Sequence, residues 1–193
     1  MLKTEKMKKI EQSIKNCKKC NLYLTRKNPV IGNGSIDSEI IFIGEAPGRN
    51  EDTQGKPFVG RAGLFFNELL ESIGLDRDNI YVTNILKCRP PKNRNPSKNE
   101  INECNIFLKE QIKIIKPKLI VTLGNFASKY IFEQYNLKSK KISDIHGKIF
   151  QINNNSKILT IIPLYHPAVA IYNSNRKNDL KKDFKKVKKF LEN

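Results

Sequence analysis

Three side chains that could take part in catalysis each follow an apolar run of the sequence. Glu45 comes after "EIIFI", Asn84 after "IYVT", and His166 after "ILTIIPL" in the motif "YHPA". A carboxylate can stabilise a cation or activate a water, an imidazole can donate to a developing anion, and a carboxamide presents a donor beside an acceptor. A lone histidine is more often structural, but the position of His166 beside a proline turn at a strand end favours a functional role.

The loop around Glu45, "GEAPGRNEDTQGKPFVGRAG" (residues 44–63), is rich in glycine and proline. A glycine-rich turn after a strand is typical of a phosphate cradle, but that motif continues from Gly-Lys to Ser or Thr. Here Gly-Lys is followed by Pro57, which has no amide hydrogen to donate. The loop agrees better with a rigid wall for a neutral planar ring, on which Phe58 would stack. The alternative is that Phe58 is an ordinary core residue.

A sheet must position these groups, and four short apolar runs predict its strands: residues 39–44, 80–83, 119–124 and 158–164. Unbroken apolar runs of this length suit strands that are buried on both faces, as in a parallel sheet. Helical spacing of apolar residues predicts helices at residues 4–16, 66–73, 97–115, 125–135 and 177–191. Gly74 is a candidate helix cap, Ser97 with Glu100 is a candidate capping box, and residues 148–152 are a candidate edge strand.

The alternation of strands and helices predicts an α/β fold, namely a three-layer α/β/α sandwich around a short, mainly parallel four-stranded sheet. Residues 1–193 are expected to form a single domain. In such sheets ligands bind beyond the carboxyl ends of the strands. Glu45, Asn84, His166 and the basic loop "LKCRPPKNRNP" (residues 86–96) are therefore expected to meet at one edge.

Four cysteines are candidate metal ligands: Cys17, Cys20, Cys88 and Cys104. The first two form a C-x-x-C pair, whereas the other two are widely separated. This spacing leaves zinc and an iron–sulfur cluster equally open. Cys104 also lies on the apolar stripe of a predicted helix, so a buried core thiol is the alternative for that residue.

The chain carries a net charge of +17, from 36 Lys and Arg against 19 Asp and Glu. Such an excess favours a polyanionic partner, nucleic acid first and an anionic membrane surface second. A lysine-rich composition alone would give the same charge. The N-terminus has no apolar core typical of a signal peptide, and no run approaches the roughly 18 apolar residues of a membrane span. We therefore expect a cytoplasmic monomer with reduced thiols and no membrane partner.

Several motifs resemble one known family. The blocks "GEAPGRNED", "GKPFVGRAG", "TNILKCRPPKNRNP" and "YHPA", together with the cysteines, are similar to the family 4 uracil-DNA glycosylases, iron–sulfur members of the uracil-DNA glycosylase superfamily. The resemblance runs from about Cys17 to beyond His166, with every block in order. It implies a [4Fe–4S] cluster on Cys17, Cys20, Cys88 and Cys104, catalytic roles for Glu45 and His166, and a uracil pocket made by Ala46, Glu51, Phe58 and Asn84.

The same resemblance implies hydrolysis of the N-glycosidic bond of a deoxyuridine flipped out of DNA, the first step of base-excision repair. His166 would donate to the developing uracil anion at O2, and Glu45 would stabilise the cationic sugar and orient a water. Phe58 would stack on the base, and the Asn84 carboxamide would match uracil's O4 and N3–H, a pattern that cytosine reverses. The bulk of Glu51 would exclude the methyl group of thymine.

Contacts with uracil-containing DNA are expected from the loop residues Arg89, Lys92 and Arg94, which can reach phosphates. Ile171 is the candidate wedge that fills the gap left by the flipped base. Here the chain departs from its relatives, which usually carry a leucine-rich wedge with an arginine after "HPA". This chain has "VAIYNSNRK" instead, with Tyr172 at the arginine position.

Two alternative functions remain open. A covalent uracil-DNA-trapping subgroup keeps a reactive histidine near the position of His146 in "ISDIHG", although the arginine-rich insertion of that subgroup is missing from this sequence. A non-catalytic, metal-bearing nucleic-acid-binding module would use the same basic edge. We expect turnover rather than trapping.

Overall fold

The computed structural model describes residues 2–154 and 157–191. The helices are α1 (Lys3–Lys15), α2 (Arg49–Gln54), α3 (Arg61–Glu71), α4 (Lys98–Ile115), α5 (Asn125–Gln134), α6 (Ile142–Ile145) and α7 (Ser174–Leu191). The strands are β1 (Asn33–Gly34), β2 (Ile40–Gly44), β3 (Tyr81–Asn84), β4 (Leu119–Leu123), β5 (Phe150–Asn154) and β6 (Lys157–Leu164). Short 3₁₀ turns lie at Asn21–Leu24, Arg77–Asn79, Pro91–Asn93 and Pro167–Ile171.

Within the described residues the sheet has six strands in the order β1-β3-β2-β4-β6-β5. The four inner strands are parallel to one another, and each outer strand is antiparallel to its neighbour. The predicted α/β class is therefore confirmed, but the predicted number of four strands is wrong. β1 has only two residues and no apolar run. The candidate edge strand at residues 148–152 is β5, shifted by two residues and largely exposed.

Side-chain contacts show that helices cover both faces of the sheet. On one face the Phe42 ring of β2 packs against Phe66 of α3 at 5.1 Å and Phe184 of α7 at 6.0 Å between ring centroids. On the other face Gln111 of α4 donates to the Tyr81 hydroxyl of β3 at 3.0 Å. The Tyr81 hydroxyl in turn lies 3.9 Å from the sulfur of Met7 in α1. The arrangement is the predicted three-layer sandwich.

The ends of the predicted helices are reproduced closely where local capping signals exist. Ser97 and Glu100 form the predicted capping box of α4. Gly74 has a φ of +74°, and Leu75 N–H donates to the Leu70 carbonyl at 3.0 Å, which closes α3 as predicted. Two short helices, α2 and α6, were not predicted because six and four residues are too few to show a helical period. Among the described residues, no helix has both the length and the apolarity to cross a membrane.

Candidate active site

A cleft of about 460 Å³ opens where the inner strands end. Because β2, β3, β4 and β6 are parallel, the residues that follow their carboxyl ends come together at this edge of the sheet. The walls of this cleft contain the two predicted catalytic residues and the four predicted uracil-binding residues: Glu45, His166, Ala46, Glu51, Phe58 and Asn84.

The imidazole of His166 is held in one tautomer by the turn that follows β6. Its Nδ1 accepts the backbone N–H of Ala168 at 3.1 Å. Burial lowers the pKa of His166 to about 4, and the charge of Glu51 opposes that shift. At neutral pH the ring is therefore uncharged with its proton on Nε2, because Nδ1 serves as an acceptor. His166 thus has one N–H left to donate to a ligand.

The carboxylate of Glu45 lies at the end of β2 and lines the same cleft. Its main chain is fixed, because the Glu45 carbonyl accepts the N–H of Leu86 at 3.0 Å. Burial raises the pKa of the Glu45 carboxyl above its ordinary value of 4.5. A partly desolvated carboxylate of this kind is more basic than an exposed one and suits the orientation or activation of a water.

Gly44 allows two pocket side chains to come close to the end of β2. A Cβ atom at this position would collide with Oδ1 of Asn84 and with the ring of Phe58. The Asn84 side chain is only 2% exposed, so its carboxamide is presented by the sheet itself rather than by a mobile loop. The motif "IGEA" therefore needs its glycine for close packing and not for a phosphate.

Lys87 is a functional candidate that sequence reasoning missed, because it stands inside the basic loop at residues 86–96. It is 1% exposed, and its Nζ donates to Thr83 Oγ1 at 2.7 Å, to the Asn84 carbonyl at 2.8 Å and to Gln111 Oε1 at 2.7 Å. Burial lowers its pKa to about 7, while the neighbouring Cys104 and Cys88 act in the opposite direction. Its place between Leu86 and Cys88, directly after a buried strand, is the signal that could have revealed it.

The backbone at Phe58 is unusual, with a φ of +53°. The Phe58 ring lies between His166 and Phe66, at 5.6 Å and 5.1 Å between ring centroids. Arg77, which sequence reasoning also missed, donates to the carbonyls of Pro57 and Phe58. The loop is thus fixed with the Phe58 ring in the cleft wall.

Glu51 has a more structural place than the sequence suggested. Its Oε1 accepts the N–H groups of Val59 at 2.9 Å and Gly60 at 2.8 Å, just before α3 begins. Glu51 therefore lines the cleft and at the same time anchors the loop that carries Phe58. Negative charge at the start of a helix is also favourable for the helix dipole.

The four cysteines line one cavity, together with apolar side chains from α1, the 3₁₀ turn Asn21–Leu24, α4 and the segment after β3: Ile14, Leu22, Leu86 and Phe107. The guanidinium of Arg26 donates to Cys88 Sγ at 3.1 Å, and the Lys87 N–H donates to Cys104 Sγ at 3.3 Å. Burial raises the pKa of Cys104 to about 12 and also raises the pKa values of Cys88 and Cys20. In the described part of the chain no three His, Cys, Asp or Glu side chains are grouped closely enough to hold a single metal ion.

The proline-rich loop borders the cleft, and its three predicted phosphate ligands differ in their surroundings. Arg89 Nε donates to Asn93 Oδ1 at 2.7 Å, whereas Lys92 is exposed. Arg94 forms a bidentate salt bridge with Glu100, with nitrogen–oxygen distances of 2.9 and 2.6 Å. These hydrogen bonds lower the pKa of the Glu100 carboxyl. The charge of Arg94 is therefore already partly compensated within the protein.

The candidate wedge lies in the 3₁₀ turn Pro167–Ile171, directly after His166. Ile171 is partly buried, whereas the neighbouring Tyr172 is 79% exposed. Arg61 of α3 donates to the Tyr172 hydroxyl at 3.5 Å, and Arg61 itself lines the cleft. The side chain that projects beside the cleft is thus a tyrosine.

His146 occupies a different environment from His166. Its Nδ1 lies 2.6 Å from Oδ2 of Asp183 in α7, and its ring packs on Tyr165 at 4.4 Å between centroids. It is not among the residues that line the cleft. The histidine that the trapping alternative requires is therefore bonded to a carboxylate outside the cleft.

Comparison with known proteins identifies the class to which this fold and cleft belong. Residues 31–192 match the family model described as the uracil DNA glycosylase superfamily.

Curated type-4 uracil-DNA glycosylases are similar over nearly the whole chain. The protein from Archaeoglobus fulgidus is 43% identical over 95% of this chain and 92% of its own. The proteins from Sulfurisphaera tokodaii and Thermotoga maritima are 44% and 39% identical, over 95% and 97% of this chain and 84% and 95% of theirs. The chain belongs to the type-4 uracil-DNA glycosylases, which confirms the resemblance found in the motifs.

Proposed function

We propose that the protein is a monofunctional uracil-DNA glycosylase that releases uracil from DNA and leaves an abasic site, the first step of base-excision repair. The observation that carries the proposal is that one cleft contains a neutral imidazole, a partly desolvated carboxylate, a buried carboxamide and an aromatic ring. Several relatives of high identity are named as type-4 uracil-DNA glycosylases, which supports the same activity.

In the proposed reaction the bond between C1′ of the deoxyribose and N1 of uracil breaks, and the electron pair stays on the base. His166 donates its Nε2–H to uracil O2, where negative charge grows, and a neutral donor does this without having to lose its own proton. Glu45 stabilises the positive charge on the sugar and orients the water that adds to C1′, and the proton that this water loses converts the uracil anion to neutral uracil. Each group thus faces charge that is complete only in the transition state.

Recognition of the base is assigned to the groups that the sheet and the loop hold rigidly. The Asn84 carboxamide pairs with O4 and N3–H of uracil, and the Phe58 ring stacks on the flipped base. The Ala46 backbone and Glu51 complete the pocket, Glu51 also through its anchoring of the loop at Val59 and Gly60. A base must leave the duplex to reach a cleft at the end of a sheet.

We also propose that Cys17, Cys20, Cys88 and Cys104 hold a [4Fe–4S] cluster. The residues fit such a group because four thiols face one cavity with apolar walls, and two sulfurs accept N–H donors, as is common around clusters. When bound, the cluster would supply a covalent link between the N-terminal segment, the end of β3 and α4. The raised thiol pKa values mean that binding must displace protons.

DNA binding is assigned to the basic loop and the turn after His166. Lys92 and Arg89 reach phosphates, Arg94 contributes less because of Glu100, and Ile171 with Tyr172 occupies the gap left by the flipped base. The net charge of +17 supports a DNA partner. We propose that the chain acts as one domain and as a cytoplasmic monomer.

An oligonucleotide with one deoxyuridine tests the proposal. The expected result is free uracil together with an alkali-labile abasic site. A stable protein–DNA adduct in place of free uracil would support the trapping alternative. Binding without either product would support the non-catalytic module. The contact of His146 with Asp183 outside the cleft argues against trapping.

A further inference from the structure

Phe58 has a backbone conformation that its residue type disfavours. Five described non-glycine residues have a positive φ, namely Phe58, Lys92, Asn93, Lys116 and Asn136. Of these only Phe58 is buried, at 6% exposure, whereas the others lie at the surface. A bulky side chain in the left-handed region is strained, and such strain persists only where the surroundings enforce it. Something in this fold must therefore hold Phe58.

Arg77 supplies the required contacts from a distant part of the chain. It lies in the 3₁₀ turn before β3, and its guanidinium donates to the Phe58 carbonyl at 3.0 Å and to the Pro57 carbonyl. The same Nη1 donates to Asn67 Oδ1 of α3 at 2.9 Å. A planar guanidinium can hold two successive carbonyls in one orientation, which a lysine ammonium does less well.

The other side of the same peptide segment is fixed as well. Glu51 accepts the N–H groups of Val59 and Gly60, so carbonyls and amides of the loop are held by opposite charges. Gly63 lets α3 approach the Phe58 backbone, because a Cβ there would collide with the Phe58 carbonyl. Of these contacts, the two bonds from Arg77 act directly on the carbonyls of Pro57 and Phe58, and so on the peptide planes on both sides of the Phe58 Cα atom.

We propose that Arg77 is a positioning residue that keeps the Phe58 ring in the wall of the uracil pocket. The inference rests on the proposed function, because it assigns Arg77 a role through Phe58 in uracil release. Without the guanidinium, the two carbonyls lose their donors and Phe58 relaxes to a negative φ, which moves its ring away from His166. Arg77 itself does not line the cleft.

The test compares Arg77→Met, Arg77→Lys and Phe58→Leu, alone and combined, with Ile73→Ala as a control. Ile73 is buried in the core just after α3 and does not line the cleft, so its truncation should lower stability while the bonds from Arg77 to the loop remain available. The first measurement is limited chymotrypsin digestion with mass spectrometry of the Phe58–Val59 bond. The second is the single-turnover rate of uracil release, with the affinity for thymine-containing DNA measured alongside.

Arg77→Met is expected to open the Phe58–Val59 bond to chymotrypsin, while Ile73→Ala at equal loss of stability does not. The rate should fall about tenfold with DNA affinity unchanged, because a misplaced ring affects the bound base. In the Phe58→Leu background, Arg77→Met should lower the rate of uracil release by less than about a further twofold. The effects of Arg77→Lys should lie between those of the wild type and Arg77→Met.

Two results would overturn the inference. One is a Phe58–Val59 bond that resists chymotrypsin equally in Arg77→Met and in the wild type. The other is a double variant in which the rate losses of the two single variants multiply. Absence of uracil release from the wild type would instead overturn the proposed function, and the digestion still decides whether Arg77 holds Phe58.

Discussion

The backbone N–H of Ala168 points at Nδ1 of His166 from 3.1 Å and thereby fixes the proton of the imidazole on Nε2. Burial reinforces this arrangement by keeping the pKa of His166 at about 4. The ring is therefore a neutral donor throughout the physiological range. The pH dependence of the reaction should then be set by another group.

Glu45 is the group expected to control the acid limb of the pH–rate profile. Burial raises the pKa of its carboxyl, and the proposed reaction needs the carboxylate. As the pH is lowered, the single-turnover rate should begin to fall at a higher pH than it would with an ordinary glutamate. His166 is still neutral at that pH. In Glu45→Gln that limb should disappear and leave a lower rate that stays flat down to about pH 5. An acid limb unchanged in Glu45→Gln would contradict this assignment.

Truncation of the proposed catalytic groups should act on the chemical step. His166→Ala is expected to lower the single-turnover rate by about 10²–10³, the effect of losing one donor to a developing oxyanion. Glu45→Ala should also lower the rate, by less if backbone groups can still orient the water. DNA affinity should change little in either variant.

His146→Ala is the matched control for His166→Ala. Because His146 is bonded to Asp183 outside the cleft, its loss should reduce stability and leave turnover nearly intact. Loss of activity in His146→Ala but not in His166→Ala would show that His146, and not His166, is the catalytic histidine. A wild-type adduct with DNA that disappears in His146→Ala would favour trapping.

Base recognition can be tested through Asn84. Asn84→Asp should reduce release of uracil and permit some release of cytosine, because a carboxylate accepts from cytosine's amino group but cannot donate to uracil O4. The Lys87 bond to the Asn84 main-chain carbonyl should keep the strand end in place in this variant. Unchanged uracil release would remove Asn84 from the pocket.

Salt dependence should distinguish the cations of the basic loop. Log affinity for DNA should fall linearly with log salt, and Lys92→Ala should flatten the slope by about one unit for uracil- and thymine-containing DNA alike. Arg94→Ala should flatten it less, since Glu100 already compensates that charge. Equal effects of the two substitutions would show that Arg94 leaves Glu100 on binding. An affinity that does not depend on salt would mean that the net charge reflects composition alone.

The cysteine cavity predicts a brown protein when it is purified without oxygen, with about four irons per chain. Cys88→Ala or Cys104→Ala should lower iron content and the midpoint of thermal unfolding more than it changes the preference for uracil over cytosine. One zinc per chain and no visible absorption would contradict the cluster.

The sequence predicted those parts of the molecule that depend on local signals. The four inner strands are unbroken apolar runs, and the Ser97–Glu100 capping box has a fixed spacing, so both were found. The pocket residues were predicted to meet because parallel strands end at one edge. Arg77 was missed because the two carbonyls that it binds lie 19 and 20 residues away, and no periodic pattern marks such pairs. Lys87 was missed because its burial depends in part on Gln111, which lies 24 residues away. β1 has too few residues to leave a pattern of its own.

The burial of Lys87 has a practical consequence for following the protein in solution. Among the described residues Lys87 is the lysine with full burial, and its three hydrogen bonds occupy the whole ammonium group. An amine-acylating reagent should therefore modify exposed lysines within minutes and reach Lys87 only when the segment between β3 and Cys88 opens. The rate at which Lys87 becomes labelled then reports the rate of that local opening. Mass spectrometry of the peptide that contains Lys87 can measure it while the rest of the fold stays intact.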